Sequence, residues 1–240
     1  MRFLILSDIH ANRHALEAVI AHAEGGYDRI LCLGDVVGYG GDPNATSEWV
    51  RLHVPVTVRG NHDRACTGDP VVEDFSENAY LAAKWTVTQL SEDNHDWLAQ
   101  LPKGPIAVDD FFLCHGSPSD EDEYVTSTYE ASFQYRSLPG AVCFFGHTHL
   151  QGTFAMRPGR VWYVSPDRDL TIEPGTAYLI NPGSVGQPRD HVPQAAYAIY
   201  DSAIRTVGFR RTSYDIAGAQ RAIRNAGLPE YLAARLEHGR

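Results

Sequence analysis

Cysteine is scarce. Cys32, Cys66, Cys114 and Cys143 are the whole complement, and no two of them form a C-x-x-C pair. That spacing argues against a thiolate metal site and against a disulfide framework. Three of the four lie inside apolar runs, where reduced, buried thiols are expected; Cys66 alone has polar neighbours and is expected near the surface. Long apolar runs are missing too. The first, Phe3 to Leu6, is cut short by Ser7, Asp8 and His10, which is too short and too polar for a secretion signal. No later run approaches the ~20 apolar residues of a spanning helix, so a cytoplasmic protein without a membrane partner is expected. An excess of positive charge is absent as well: 20 Lys and Arg face 30 Asp and Glu, a formal net charge of -10. Such a surface repels polyanions, which argues against extended nucleic-acid binding and a DNA-repair role. A small anionic substrate would then need local positive charge at its site, and metal ions could bring it.

Hydrophobic residues at 43% and charged residues at 21% are ordinary for a globular protein with a proper core. No linker-like shift in composition and no internal repeat interrupts the 240 residues, so residues 1–240 are read as one domain. The N-terminal part alternates short apolar runs with helical stretches, the pattern of βαβ units around parallel strands. In the first helical stretch Ala15, Leu16, Val19, Ile20 and Ala23 fall on one face, and Asn12 precedes it as an N-cap. Residues 76–101 suggest one or two helices, capped by Ser76 or Ser91, with Leu81, Trp85, Val87, Leu90, Trp97 and Leu98 turned inward. From Gly152 onward strands separated by turn residues predict a second, largely antiparallel sheet.

Five apolar runs end in residues suited to hard or borderline metal ions. FLILSDIH leads to Asp8 and His10, ILCLGD to Asp35, VTVRGNHD to Asn61, His62 and Asp63, FFLCHG to His115, and CFFGHTH to His147 and His149. As neighbouring strands of one sheet, these runs would place their C-terminal ends on one edge, where open α/β sheets hold ligands. Gly34, Gly60, Gly116 and Gly146 stand beside four of the ends and would let the backbone turn sharply there. A single histidine at a strand end is usually a satisfied core or surface residue; the repetition carries the argument. Oxygen and imidazole donors without thiolate suit Mn, Fe, Zn and similar divalent ions. The Gly38 to Gly41 run lacks the Lys and Ser/Thr of a phosphate-binding P-loop and is read as a turn, and the acidic run Asp120 to Glu123 as a solvated loop.

Taken in order, the blocks D-x-H, G-D-x-x-G, G-N-H-D, H-G and G-H-T-H from Asp8 to His149 resemble the calcineurin-like metallophosphoesterase family, and within it the compact bacterial and archaeal phosphodiesterases. NPGSVGQPRD, Asn181 to Asp190, extends the likeness. The resemblance implies an α/β fold, a four-layer α/β/β/α sandwich of two mixed β-sheets flanked by helices. It also implies two divalent metal ions per chain, with Mn expected and Fe, Zn, Ni, Co or Mg as alternatives. One ion would be held by Asp8, His10, Asp35 and His149, the other by Asp35, Asn61, His115 and His147. Such a pair polarises a phosphoryl group and holds a hydroxide for in-line attack. His62 would protonate the leaving oxygen or stabilise the transition state, with Asp63 orienting its imidazole and favouring the charged form. Arg189 and Asn12 are candidates to reach phosphate oxygens, Arg189 the better placed chemically because a guanidinium matches phosphate geometry. The expected activity is hydrolysis of a phosphodiester or pyrophosphate bond in a small, nucleotide-like phosphorylated substrate. Dinucleoside polyphosphate hydrolysis, phosphoprotein phosphatase activity and a non-catalytic scaffold are the alternatives. Self-association into a homo-oligomer is left open.

Overall fold

Alternation along the first strand sets the layers. In β1 (Arg2–Leu6), Phe3 and Ile5 face one way and Leu4 and Leu6 the other, all four fully buried, so this strand has protein on both faces. The computed structural model describes residues 1–71, 75–138 and 141–240. One six-stranded sheet runs β3 (Val56–Thr57), β2 (Arg29–Cys32), β1, β11 (Ala195–Asp201), β12 (Thr206–Thr212) and β9 (Leu170–Thr171). The other runs β4 (Ile106–Val108), β5 (Phe111–Leu113), β6 (Val142–Phe144), β10 (Ala177–Asn181), β7 (Gly152–Arg157) and β8 (Arg160–Val164). Both sheets are mixed. In the first, β1, β2 and β3 are parallel and β11 runs antiparallel to β1; in the second, β5, β6 and β10 are parallel and β4 and β7 are antiparallel to their neighbours.

The sheets meet face to face over Phe3, Ile5, Leu31 and Tyr200 from one and Phe111, Phe144 and Ile180 from the other. Phe111 lies 5.1 Å edge-on to Phe3 and 5.3 Å edge-on to Tyr200, the T-shaped geometry aromatic quadrupoles prefer. On the outer face of the first sheet Leu4, Leu6 and Ile9 pack on α1 (Arg13–Ala23), which contributes Ala15, Leu16, Val19 and Ala23, and on Val50 of α2 (Pro43–His53) and Leu98 of α5 (Glu92–Ala99). Cys143 and Phe145 turn away from the centre of the second sheet to meet Ala131 of α6 (Thr128–Gln134). The architecture is therefore the α/β/β/α sandwich the resemblance implied. No helix of the described residues is long and apolar enough to cross a membrane.

Three local expectations are corrected. The chain is not split into an N-terminal parallel and a C-terminal antiparallel sheet: β4 to β6 join the second sheet, while β9, β11 and β12 return to the first. On α4 (Glu77–Gln89) the inward stripe is Ala79, Ala82, Ala83 and Thr86, which allows close packing and leaves Leu81 and Val87 exposed at 44% and 46%. Cys66 is fully buried, because α4 closes over it and brings the Ala83 carbonyl to 3.9 Å from its Sγ.

Within the acidic run Asp120 and Asp122 are exposed, as a solvated loop requires, but Glu121 is buried. Glu121 accepts two hydrogen bonds from Arg59, at 2.7 and 2.8 Å, and pairs with Arg64 at 2.7 Å, while Arg64 also reaches Asp122. Burial alone would raise the Glu121 carboxyl, but the Arg59 hydrogen bonds, Arg64 and Lys103 outweigh it and hold the group down at about 2. A depressed carboxylate contributes stability that is fully present above its unfolded value of 4.5 and is lost as pH falls toward 2. In urea titrations the stability gap between wild type and Glu121→Gln is therefore expected to shrink steadily from pH 5 to pH 3. A gap independent of pH over that range would refute the assignment.

Candidate metal centre

The loops that leave β1 and β2 are laced together by backbone bonds: Asp8 N to Gly34 O at 3.0 Å, His10 N to Asp35 O at 2.9 Å, and Ala11 N to Val36 O at 2.9 Å. The third loop begins α3 (Asn61–Ala65), and the Asp63 carboxylate at its third position ties it to the second. Asp63 Oδ2 accepts from the Asp35 amide at 2.8 Å and the Gly60 amide at 3.0 Å, and Oδ1 from the Val36 and Val37 amides at 2.9 and 3.3 Å. Asp63 thus shapes the Asp35 turn; the expectation that it orients the His62 ring is not met, because successive residues of a helix point about 100° apart. A side chain at Gly60 could not be accommodated, since its Cβ would lie 2.0 Å from Asp35 Oδ1.

Asp8, His10, Asp35, His147 and His149, five of the seven residues read as ligands, adopt left-handed backbone conformations, with φ of 52°, 49°, 54°, 65° and 60°. Each such conformation costs about 1–3 kcal/mol in a non-glycine residue and persists only where the surroundings enforce it. Here it aims all five side chains into one volume. Asp8, His10, Asp35 and His149 place one donor atom each within 4.8 Å of one another, and so do Asp35, His115 and His147. Asn61 enters the second group through Oδ1, 3.2 Å from His115 Nε2. Asp35 belongs to both groups, with Oδ2 at 3.6 Å from His10 Nε2 and 3.4 Å from His115 Nε2. The five strand ends come from two sheets rather than one, because the parallel triplets β1–β3 and β5, β6, β10 pack face to face and deliver their C-terminal ends to the same rim.

The imidazole hydrogen bonds define which nitrogens face inward. Nδ1 of His10 donates to Val37 O at 3.0 Å, Nδ1 of His115 to Leu33 O at 2.8 Å, and Nδ1 of His149 to Gln187 O at 2.6 Å. With the ring proton placed on a backbone carbonyl, each Nε2 lone pair is left for a metal, the outer-sphere arrangement of ligating histidines. His10 Nε2 and His149 Nε2 stand 3.1 Å apart, and His147 Nε2 is buried with no hydrogen-bond partner. Facing lone pairs repel unless a cation lies between them.

Asp8 and Asp35 are at most 1% exposed. Burial would raise both carboxyls, yet His149 beside Asp8 and His115 beside Asp35 hold them below the usual range. The imidazoles themselves resist charging: burial pushes His10 well down, His147 to about 3, and His149 below its ordinary value. His115 alone is driven up, to about 10, where burial opposes and Asp35 prevails. Two buried carboxylates thus demand positive charge that the neighbouring rings supply poorly. Divalent cations fit this donor set.

His62 lies beside the cluster, its ring 4.9 Å from that of His10, 4.3 Å from that of Tyr39 and 4.5 Å from that of Phe75. Its backbone N–H donates to Asp35 Oδ1 at 2.9 Å. Gly38, at φ +87°, makes room for the ring: a Cβ there would sit 2.4 Å from His62 Nδ1. Burial pushes His62 down to about 4 although Asp35 opposes, so its charged form is disfavoured, contrary to the expectation attached to Asp63. Among the aromatics of these segments, Tyr39 and Phe75 contact His62, Tyr124 lies 3.8 Å from the His147 ring, and Tyr80 stays on the exposed face of α4 beside Lys84.

Arg189 reaches the rim, donating through Nη2 to Tyr39 Oη at 3.4 Å and Gln187 Oε1 at 3.3 Å. The amide of Asn12 is engaged at both ends: Oδ1 caps α1 by accepting from Ala15 N at 3.1 Å, and Nδ2 donates to Gly186 O at 2.9 Å. Asn12 therefore serves the fold of the loop, as the N-cap reading expected, and has little left for a phosphate. Sequence reasoning missed the carbonyls of Val37, Leu33 and Gln187 that fix the histidine tautomers, because a backbone acceptor leaves no mark in residue type. It also missed Arg235, whose guanidinium carbon lies 6.0 Å from the Tyr39 ring centre.

With ligand groups on the C-terminal ends of parallel strands in a double-sheet sandwich, the molecule has the build of a metallophosphoesterase. The model of the calcineurin-like phosphoesterase superfamily domain matches residues 1–203, and the chain belongs to that superfamily. The family uses divalent metals, and two candidate ligand clusters are present among the described residues. An uncharacterized protein of Methanocaldococcus jannaschii is 34% identical over 249 residues, covering 98% of this chain and 97% of that protein. The crystal structure of a metallophosphoesterase from Sphaerobacter thermophilus superposes with a TM-score of 0.88 at 40% identity, over 100% of this chain and 99% of that one. A hypothetical protein from Pyrococcus horikoshii shares the fold at a TM-score of 0.78 and 21% identity, covering 100% of this chain and 98% of that one.

Proposed function

We propose that the chain is a divalent-metal-dependent phosphoesterase that hydrolyses a phosphodiester or pyrophosphate bond in a small phosphorylated substrate, using two ions bridged by Asp35. The observation that carries the reading is the convergence of two buried donor groups on one shared carboxylate, aimed by left-handed backbone at five of the seven donors. Asp8, His10, Asp35 and His149 would hold one ion and Asp35, Asn61, His115 and His147 the other, with Mn the first metal to try. Such ions supply positive charge to a phosphoryl group and acidify a water for attack. The protein's own part is to orient and to exclude. Val37, Leu33 and Gln187 keep three imidazoles in the ligating tautomer, Asp63 fixes the Asp35 turn, and Tyr39, Phe75 and Tyr124 wall the centre with apolar surface that strengthens its electrostatics. His62 adjoins the centre as hydrogen-bond donor to the leaving group, and Arg189 stands at the rim as a side chain set to bind phosphate oxygen of the substrate.

Mn-supplemented protein is expected to hydrolyse bis-p-nitrophenyl phosphate faster than p-nitrophenyl phosphate, because a centre flanked by only one or two arginines favours the less charged diester. Activity confined to the monoester would make the protein a phosphatase. If Mn, Zn, Fe, Co, Ni and Mg all left both substrates untouched and none raised the melting temperature, the hydrolase reading would fall and the scaffold alternative would replace it.

A further inference from the structure

Several arginines of this acidic chain pair with carboxylates: Arg211 with Asp190, Arg224 with Glu230, Arg157 with Glu173 and Arg210 with Asp169. Arg189 and Arg235 are among those that do not, and they stand together beside the metal centre. Among the described residues neither forms an ion pair with a carboxylate side chain, although both are partly buried. Arg189 makes two long bonds, to Tyr39 and Gln187, and among the described residues its buried Nε has no partner. Arg235 donates through Nε to the main-chain oxygen of Arg240, the last residue of the sequence, and its Nη groups have no hydrogen-bond partner among the described residues.

Both guanidiniums converge on Tyr39. Their carbons lie 5.8 Å (Arg189) and 6.0 Å (Arg235) from the centre of its ring, and the other neighbours of that ring are His10 at 4.7 Å and His62 at 4.3 Å. Tyr39 is itself held at φ +60°, a left-handed conformation that aims the side chain there. The short 3₁₀ turn Arg235–His238 comes up against the same wall, since Leu236 lines one cavity with His10, Tyr39 and Gln187. Burial and Arg189 together push Arg235 below its ordinary value, the effect expected of a like charge nearby. In a chain of formal charge -10, two guanidiniums that meet no carboxylate side chain among the described residues, set beside a candidate phosphoryl site, suit an anion.

We propose that Arg189 and Arg235, set around Tyr39, form a second anion subsite beside the metal centre that takes a second phosphate of the substrate, so that the natural substrate carries a diphosphate or longer phosphate chain. This rests on the reading of the metal centre as a phosphoesterase site and narrows its substrate class. Arg235 lies beyond residue 203, outside the stretch the family model matches, so the subsite would be particular to this chain and those that share its C-terminal segment. The aliphatic stem of Arg235 also packs on Tyr231, 5.2 Å from that ring centre, and a purely structural role is the competing account.

The test uses binding rather than turnover. Full-length Mn-loaded protein is titrated calorimetrically with inorganic phosphate and with methylenediphosphonate, a two-phosphorus analogue that cannot be hydrolysed, at one fixed free Mn concentration. Arg235→Gln is expected to weaken diphosphonate binding about tenfold, the scale of one lost charge-assisted contact, and phosphate binding less than twofold; Arg235→Lys should recover part of the difference. Equal losses for the two ligands, no loss for either, or a lower melting temperature with an unchanged ratio of affinities would overturn the subsite. Because no reaction is read, the two ideas fail separately. A diphosphonate preference that depends on Arg235 in a protein inert toward esters would keep the subsite and remove the hydrolase; an active diesterase without that preference would do the reverse.

Discussion

Asp35→Asn is expected to lower kcat by at least ~1000-fold, at the upper end of what losing a single electrostatic contact costs, because this carboxylate serves both donor groups. The replacement is nearly isosteric. Its remaining oxygen can still accept the His62 backbone N–H now bound at 2.9 Å, and Asp63 still receives the Asp35 and Val36 amides, so the turn should survive. The metal-free variant should be at least as stable as the metal-free wild type, since it buries one charge fewer beside Asp8. What it should lose is stabilisation by metal. Wild type is expected to gain about 2.7 kcal/mol per bound ion when free Mn is a hundred times the dissociation constant, and the variant a small fraction of that. Differential scanning calorimetry with and without Mn separates the two effects. A variant that keeps the metal-dependent gain while losing activity would assign Asp35 to the chemistry rather than to holding ions, and one that keeps activity would remove the bridging role.

Why the candidate donor cluster could be read from sequence while the sheets could not follows from where the information resides. Each ligand block is local: an apolar run that must be buried, then a carboxylate or imidazole with glycine beside it. Asp35 after ILCLG and His115 after FFLC announce themselves because a polar group so close to a buried strand needs a reason. Sheet membership is not local. β4, β5 and β6 have three residues each, and nothing within them distinguishes a place beside β3 from a place beside β10; that choice is made by the aromatic contacts among Phe3, Phe111, Phe144 and Tyr200 across the central layer. The role given to Asp63 failed for a local reason, adjacency in sequence being mistaken for adjacency in space inside a helix. Arg235 had no signal at all. It sits in an ordinary amphipathic stretch, and only the approach of that turn to Tyr39 sets it apart.

His62→Ala is expected to cost about 1000-fold in kcat on a diester with an alkoxide leaving group and only about tenfold on one with a nitrophenolate leaving group, within the range of general acid catalysis. The reasoning starts from the environment of the ring. It is 4% exposed, packed against Tyr39, His10 and Phe75, with Nδ1 buried and unpartnered, and burial pushes its protonation down to about 4. At neutral pH the imidazole therefore carries one proton rather than two, and its help is a hydrogen bond that strengthens as charge builds on the departing oxygen. An alkoxide, being strongly basic, gains most from that bond; a nitrophenolate leaves almost unaided. The sign of the pH dependence distinguishes the neutral form from a charged acid. A charged His62 with an ordinary value near 6.5 would make the rate fall as pH rises from about 5 to 8, whereas the depressed value predicts no fall on its account. Equal losses for the two leaving groups would place His62 on the non-bridging oxygens instead, and a wild-type rate that declines through pH 6.5 while His62→Ala stays flat would show that substrate or metal raises the imidazole back into the charged state.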